Sequence, residues 1–439
     1  MFFSLDVRRA RKGDCLLLHY GSKDKPGLVM IDGGPKGVYG PHLKPRLEDI
    51  KKKRVKGNEP LQVDLLMVSH VDDDHIQGIL ELTKELREAM DEKSPQLVQI
   101  LSLWHNSFDN IIDGKGDELT ASVKSQFGAA SVSGSGELSE EKKGEVEEES
   151  SEEPEVVSSS LKVLASIAQG AQLRVDADKL ELPLNEEFGG KLIIAEEDAE
   201  AVDMGLGLTF KVVGPMLPEI EALRKKHNEW LKKLKAEGKK PSEVLAAYVD
   251  QSVPNLSSLV LLAEVDGKTM LLTGDARGDK ILEGLEQTGL IEKDGKLHVD
   301  LLKVPHHGSA NNLANDFFER IIAKHYVFSG DGEHGNPERE SLEMLLKARG
   351  DDGDFTIHLT YPIAEIDVER KKDWEKEQTK EKNRKKKNPK TKKLVRDDWS
   401  PEENSLTALF ADNPKFGKKV RIVDAKKPHL IDLLEPVGF

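Results

Sequence analysis

Short apolar runs, broken by glycine, proline and charge, set the rhythm of the first hundred residues. Phe2 to Arg8, Cys15 to Tyr20 and Leu28 to Asp32 predict three strands, with turns at Gly13-Asp14, Gly21 and Gly33-Gly34-Pro35. Leu65 to Val68 is apolar throughout, as expected of a strand covered on both faces, and it runs directly into His70-Val-Asp-Asp-Asp-His75. A helix is expected over Ile79 to Met90 and a strand over Val98 to Trp104. Further along, Leu208 to Val213 predicts a strand, and Glu219 to Ala236 an amphipathic helix whose apolar positions include Ile220, Leu223, Trp230, Leu231 and Leu234. Leu259 to Glu264 and Met270 to Thr273 predict a hairpin around Asp266-Gly267. A helix over Lys280 to Gln287 precedes buried strands at Val299 to Val304 and Tyr326 to Ser329, and final strands are expected at Ser405 to Phe410 and Val420 to Asp424. This order predicts an α/β protein with two sheets between helices.

Two stretches break the pattern. Residues 131–160 are rich in serine, glycine and glutamate and cannot bury enough apolar area to offset their ordering entropy, so they read as a disordered acidic low-complexity insertion. Residues 370–396 are rich in lysine with scattered glutamate and read as a second polar insertion, solvated or disordered. The expectation is one domain over residues 1–439 carrying both. Composition agrees: of 439 residues, 37% are hydrophobic and 33% charged, a low apolar share for a chain long enough to build a real core. The net charge of −15 argues against a broad nonspecific nucleic-acid surface while leaving room for a local basic groove. The single cysteine, Cys15, excludes a disulfide framework and a Cys-rich zinc module. No stretch has the length and apolarity of a signal peptide or membrane span, so a cytoplasmic protein without membrane contact is expected.

The chemistry concentrates where strands end. His70, Asp72, Asp74 and His75 fall within six residues; alternation along an extended segment would put the first three on one side, and a turn would bring His75 back. Such a group suits a borderline-to-hard divalent cation, and its carboxylates cannot share a dry pocket without one. Three distant strands end similarly: Leu271 to Asp275 in a carboxylate, Leu301 to Ser309 in His306 and His307, and Val327 to Pro337 in a glycine-rich loop with Asp331 and His334. Trp104-His105-Asn-Ser-Phe-Asp109 adds another candidate. Ends of strands are where α/β architectures build sites. His19, His42, His227, His298, His325, His358 and His429 stand outside any cluster and read as surface or core residues.

Taken in order, Gly13-Asp14-Cys-Leu-Leu-Leu, Met30-Ile-Asp32-Gly-Gly, Ser69-His-Val-Asp-Asp-Asp-His-Ile-Gln-Gly78, Asn255-Leu-Ser-Ser-Leu-Val, Leu271-Leu-Thr-Gly-Asp275, Lys303-Val-Pro-His-His-Gly-Ser309 and Gly335-Asn-Pro337 resemble the metallo-β-lactamase superfamily. Within it they look most like the hydrolase domain of ComEC-type competence proteins, without the membrane channel. Aspartate at position 72, where the wider family carries histidine, fits that branch. The resemblance implies an αββα four-layer sandwich with two divalent cations, Zn2+ or Mn2+. His70 and Asp72 would serve one cation, Asp74 and His75 the other, and Asp275 would bridge them. His306 or His307 would complete the second site, with His306 favoured. The family's remaining histidine lies just before the hairpin, where this chain reads Val213-Gly-Pro-Met; His105 is the candidate substitute.

The expected activity is hydrolysis by a hydroxide that two divalent ions, about 3.5–4 Å apart, generate at neutral pH. Asp74 would orient the water, and His307 or His334 would protonate the leaving group or bind a phosphate oxygen. Asp32 is expected to support the ligands by hydrogen bonding rather than bind metal. The implied function is a phosphodiesterase or nuclease acting on nucleic acid or another phosphodiester. Hydrolysis of a different ester or amide, such as a phosphocholine ester or a peptide, and a metal-stabilised binding or sensor module stand as alternatives. The two insertions point to regulation by a protein partner.

Overall fold

The structure is a computed structural model that describes residues 1–106, 169–222, 224–225 and 257–438. The acidic insertion at 131–160, Asp109, His227 and the greater part of the helix expected over Glu219 to Ala236 lie outside the described residues.

Three apolar runs at the start form an antiparallel meander of β1 (Phe2–Val7), β2 (Leu16–Gly21) and β3 (Pro26–Ile31). The chain then makes a helix the apolar pattern does not announce, α1 (Lys44–Arg54), before a short β4 (Leu61–Val63) and the buried β5 (Leu65–Val68). α2 (Asp73–Asp91), β6 (Val98–Ile100) and β7 (Leu103–His105) follow. β5 pairs parallel to both β3 and β7, and β4 pairs with β6 in a separate two-stranded ladder.

The second half begins with β8 (Val202–Asp203) and β9 (Thr209–Gly214). The hairpin of β10 (Val260–Val265) and β11 (Lys268–Leu272) turns on Asp266 and Gly267, both with positive φ as its tight two-residue turn requires. Next come α3 (Gly278–Gln287), β12 (Leu297–Lys303), β13 (Ile321–Phe328), α4 (Arg339–Arg349) and β14 (Thr356–Leu359). α5 (Ile363–Lys387), α6 (Leu406–Asp412), β15 (Val420–Ile422) and β16 (Leu430–Asp432) complete the chain.

The protein is mixed α/β. One sheet runs β16-β1-β2-β3-β5-β7, the other β15-β14-β13-β12-β11-β10-β9-β8. Side chains from both sheets, Leu5, Leu18, Val29 and Met67 among them with Phe210, Leu261, Met270 and Val327, share one buried core. The alternate side chains of the first sheet, such as Leu17, Met30 and Leu66, pack with Leu47 and Ile50 of α1 and Ile79 and Leu82 of α2. Those of the second, such as Leu271 and Leu302, pack with Ile281 and Leu285 of α3 and Leu342 and Leu345 of α4. Period-two alternation thus gives each sheet two apolar faces.

Two expectations from the sequence change. Ser405 to Phe410 is helical: the Ser405 hydroxyl accepts from the Ala408 amide, and Leu406, Leu409 and Phe410 reach the core at helical spacing. The lysine-rich stretch is structured: residues 370–387 continue α5, helped by Lys372–Glu369 and Lys380–Glu377 pairs. The chain beyond folds back on it, with Arg396 paired to Glu381 and Trp374 edge-on to Trp399.

Two contacts position the site. The N-terminal turns of α2 pack directly on the loop after β3, so a Cβ at Gly78 would lie 2.0 Å from the Gly33 oxygen. Arg46 of α1 reaches across to Asp6 of β1, Nε to Oδ2 2.6 Å, both buried. Burial pushes the Asp6 carboxyl up, but His19, Arg46 and Arg8 overcome it and hold it below the usual range.

Gly78→Ala should destabilise the protein by about 1–3 kcal/mol in urea titrations, despite alanine's higher helix propensity. Arg46→Ala should cost about 3–5 kcal/mol at pH 7, because it strands a buried carboxylate. Asp6 ionises more readily folded than unfolded, so its contribution is full above about pH 4 and lost as the pH falls. The gap between wild type and Arg46→Ala should therefore narrow in titrations run below that pH.

Candidate metal centre

The ends of β5, β11 and β12 and the loops after β1 and β3 converge on one pocket. Asp72 caps α2 with extended backbone, and Asp73 to His75 form the first helical turn. The expected extended alternation through Asp74 therefore gives way to a helix start, which turns Asp74 and His75 inward together. His70 and His75 stack obliquely, ring centroids 4.0 Å apart.

Asp275 sits at the centre. Its Oδ1 lies 3.3 Å from His75 Nε2 and 3.2 Å from His307 Nε2; its Oδ2 lies 3.8 Å from His70 Nε2 and 3.9 Å from His306 Nε2. Asp74 faces His75 Nε2 at 4.0 Å and His307 Nε2 at 3.8 Å, and Asp72 faces His70 Nε2 at 3.8 Å. Among the described residues three groups have ligand atoms close enough to surround an ion: Asp74, His75, Asp275 and His307; His70, Asp72 and Asp74; and, behind His75, Asp14, Asp32 and His75.

The hydrogen bonds behind the imidazoles set their tautomers. Asp32 accepts from the Ser69 amide (2.7 Å) and hydroxyl (2.6 Å) and from His75 Nδ1 (2.8 Å). With its proton committed to Asp32, the Ser69 hydroxyl is left to accept from His70 Nδ1 at 3.2 Å. The Ser329 hydroxyl likewise donates to Asp14 and accepts from His307 Nδ1 at 3.2 Å. Each of the three rings directs Nδ1 outward and Nε2 inward, so that a neutral ring with its proton on Nδ1 would present an Nε2 lone pair to the pocket. His70 Nε2, His75 Nε2, His307 Nε2 and Asp275 Oδ1 are all buried without a hydrogen-bond partner among the described residues. Buried polar atoms are seldom left so, and four facing one another fit the donor set of a divalent cation.

The electrostatics point the same way. Burial and the neighbouring His75 push His70 down to about 4. Burial would lower His307 too, but Asp275 and Asp14 lift it to about 9. Burial raises Asp275, yet His307 and His75 hold its carboxyl well below the usual range. The pocket demands positive charge. Asp14 is matched by the buried Lys303 ammonium, which also donates to the Gly274 carbonyl.

The sequence-derived candidates fare unevenly. His70, Asp72, Asp74, His75, Asp275 and His307 come together. His307, rather than the favoured His306, joins Asp74 and His75; His306 stands on the more open side, against Asp275 Oδ2 and Asn312. Asp32 buttresses His75 as expected. His105, the last residue of β7, belongs to none of these groups among the described residues; both its ring nitrogens are buried without a hydrogen-bond partner there, its Nε2 near Gly170. His334 is exposed on the loop after β13, its Nε2 3.4 Å from Lys12 Nζ. His325, His358 and His429, read as isolated, instead form a hydrogen-bonded row (3.1 and 2.8 Å) away from the pocket. Asp14, Lys303, Ser69 and Ser329 lack a role in the sequence reading. A charged residue at the end of an apolar strand, as at Lys303, was the available signal.

No protein-family profile matches the chain. Similarity to curated proteins is partial. The chain is 30% identical over 137 residues to microtubule-associated protein 1A of Rattus norvegicus, covering 30% of this chain and 5% of that protein. It is 36% identical over 78 residues to microtubule-associated protein futsch of Drosophila melanogaster, covering 18% of the chain and 1% of that protein. It is also 29% identical over 100 residues to ComE operon protein 3 of Bacillus subtilis (strain 168), covering 22% of the chain and 12% of that protein. The chain thus spans a small fraction of each relative's length.

Adding Mn2+ or Zn2+ at about 100 times its dissociation constant should raise the unfolding free energy by about 2.7 kcal/mol, read as a shift in Tm that a chelator reverses. Asp32→Asn should weaken cation binding about 10–100-fold in titration calorimetry, by removing the acceptor that orients His75.

Proposed function

We propose that the chain is a metal-dependent hydrolase of the metallo-β-lactamase fold, in the ComEC-like branch, and that it cleaves phosphodiesters, with nucleic acid as the leading substrate. The single observation that carries this reading is the set of four buried, inward-facing, unpartnered donor atoms on His70, His75, His307 and Asp275. The three cores support a four-layer αββα arrangement, helices outside and two sheets within. The partial similarity to ComE operon protein 3 points in the same direction as the motif resemblance.

The charge balance supports two cations. Asp14, Asp32, Asp72, Asp74 and Asp275 bring five carboxylates, and Lys303 brings one ammonium; with neutral imidazoles, five less one leaves four negative charges, which two divalent ions would cancel. His70 and Asp72 would hold one, Asp74, His75 and His307 the other, with Asp275 between. When bound, such ions supply a nucleophile at neutral pH and offset charge on the reacting phosphate.

The protein's own groups do the rest. Asp74, at the start of α2 and 21% exposed, orients the attacking water from the open side of the pocket. Asp32 and Asp14, through Ser69 and Ser329, keep the imidazoles aimed. With the His307 ring drawn inward, proton donation to the leaving oxygen falls to His334. Arg11 and Lys12, both paired to Glu333 on the His334 loop, provide the positive rim that receives the phosphate chain.

The test is hydrolysis of a model phosphodiester, single-stranded and duplex DNA and RNA by the purified chain with Mn2+, Zn2+ or Mg2+. Asp74→Asn and Asp275→Asn should each lower kcat/KM at least about 10²-fold. Lys12→Ala should act mainly on KM. Wild-type activity in both aspartate variants would show that this pocket is not the active site. Cation binding without hydrolysis of any phosphodiester would favour the binding-module reading.

A further inference from the structure

The two consecutive histidines do not present their rings alike. His306 and His307 both have positive φ (48° and 55°), a region few non-glycine residues adopt, although histidine, like asparagine and aspartate, does so more readily than most. The backbone is held there by His306 N donating to the Gly274 carbonyl (3.1 Å) and Ser309 N to the His306 carbonyl (2.9 Å). Asn336 Nδ2 donates to that carbonyl as well, at 3.4 Å. The twist splays the rings: their planes meet at 83°, with centroids 6.1 Å apart. Both Nε2 atoms nonetheless face one carboxylate, from opposite ends. His307 faces Asp275 Oδ1, as His75 does; His306 faces Oδ2, as His70 does.

Resting on the two-cation reading above, we infer that the pair is divided between the cations. His307 serves the one held by Asp74 and His75, His306 the one held by His70 and Asp72, and Asp275 gives one oxygen to each. Both halves then have the same donors: two imidazoles, one carboxylate of their own and one shared oxygen. This assignment answers a gap in the chain. Val213, Gly214, Pro215 and Met216, where the resemblance leads one to seek a further histidine, offer no ligand. The half containing His70 has a buried, unpartnered Nε2 directed into it, which marks it as a ligand position in its own right. Asn312 stands behind the ring. Its Nδ2 lies 2.5 Å from His306 Nδ1; with the amide flipped end for end, its oxygen would take the Nδ1 proton and leave the Nε2 lone pair for the ion.

The test is metal stoichiometry and Mn2+ electron paramagnetic resonance on the full chain. Asparagine tolerates positive φ, so His306→Asn and His307→Asn keep the strained backbone while removing the ring. Wild type should bind two Mn2+ with the signal of a coupled pair. His306→Asn should bind one Mn2+ and give an uncoupled six-line signal. The double variant His70→Asn/His306→Asn should still hold one ion, because both changes fall in the same half, whereas His306→Asn/His307→Asn should weaken both. Asn312→Leu, which leaves the loop backbone untouched, should lower the affinity for one of the two ions about 10–100-fold. Two coupled ions in His306→Asn would overturn the division and leave the two-cation reading standing. Fewer than two ions in the wild type would overturn both.

Discussion

Carboxylates brought together out of water must be offset by positive charge or by donated hydrogen bonds, and this constraint organises the pocket. The structure answers it in two tiers. In the outer tier, Asp14 is met by Lys303 and the Ser329 hydroxyl, and Asp32 by the Ser69 amide and hydroxyl and by His75. These bonds are satisfied within the protein. In the inner tier, Asp275 and the Nε2 atoms of His70, His75 and His307 face one another, with Asp72, Asp74 and His306 at their edge. The outer acids set the tautomers of the inner rings, so the charge left over is aimed at a single small volume.

The fold supplies the rigid ends that such precision needs. β5, β11 and β12 are buried over their central and final residues, and each delivers its polar residues immediately after the last sheet hydrogen bonds. Backbone contact closes the gaps between them. Gly13 lies so near the Asp74 carbonyl that a Cβ would fall 1.8 Å from it, and Asp14 N donates to the same carbonyl. The loop between β1 and β2 is thereby fastened to the first turn of α2, and Asp14 is held against His75 and His307.

The lysine-rich stretch acquires a structural connection to this site. Arg370, buried on α5, donates to the Gly335 carbonyl and so braces the loop that carries Glu333 and His334. That loop in turn pairs with Arg11 and Lys12 through Glu333. The exposed outer part of α5 is kept helical by charge pairs along its surface, and its inner end serves the rim. Among the described residues no helix is long and apolar enough to cross a membrane.

Much of this was legible from the chain alone. Strands such as Leu65 to Val68 and Leu301 to Lys303 announce themselves, because a strand buried on both faces has no polar side, and the candidate ligands follow such strands in an unbroken local signal. Local pattern misled at Ser405 to Phe410, where a serine cap and spacing of three and four residues outweighed a β-like run. It also misled at residues 370–387, where charge pairs one helical turn apart stabilise what composition alone reads as solvated chain. Only the tertiary structure decided which ring faces which oxygen. His306 and His307 are chemically identical neighbours, separated by a left-handed backbone that distant contacts from Gly274 and Asn336 impose. Residue type and spacing are written locally; the orientation of a side chain across a gap is set by everything packed around it.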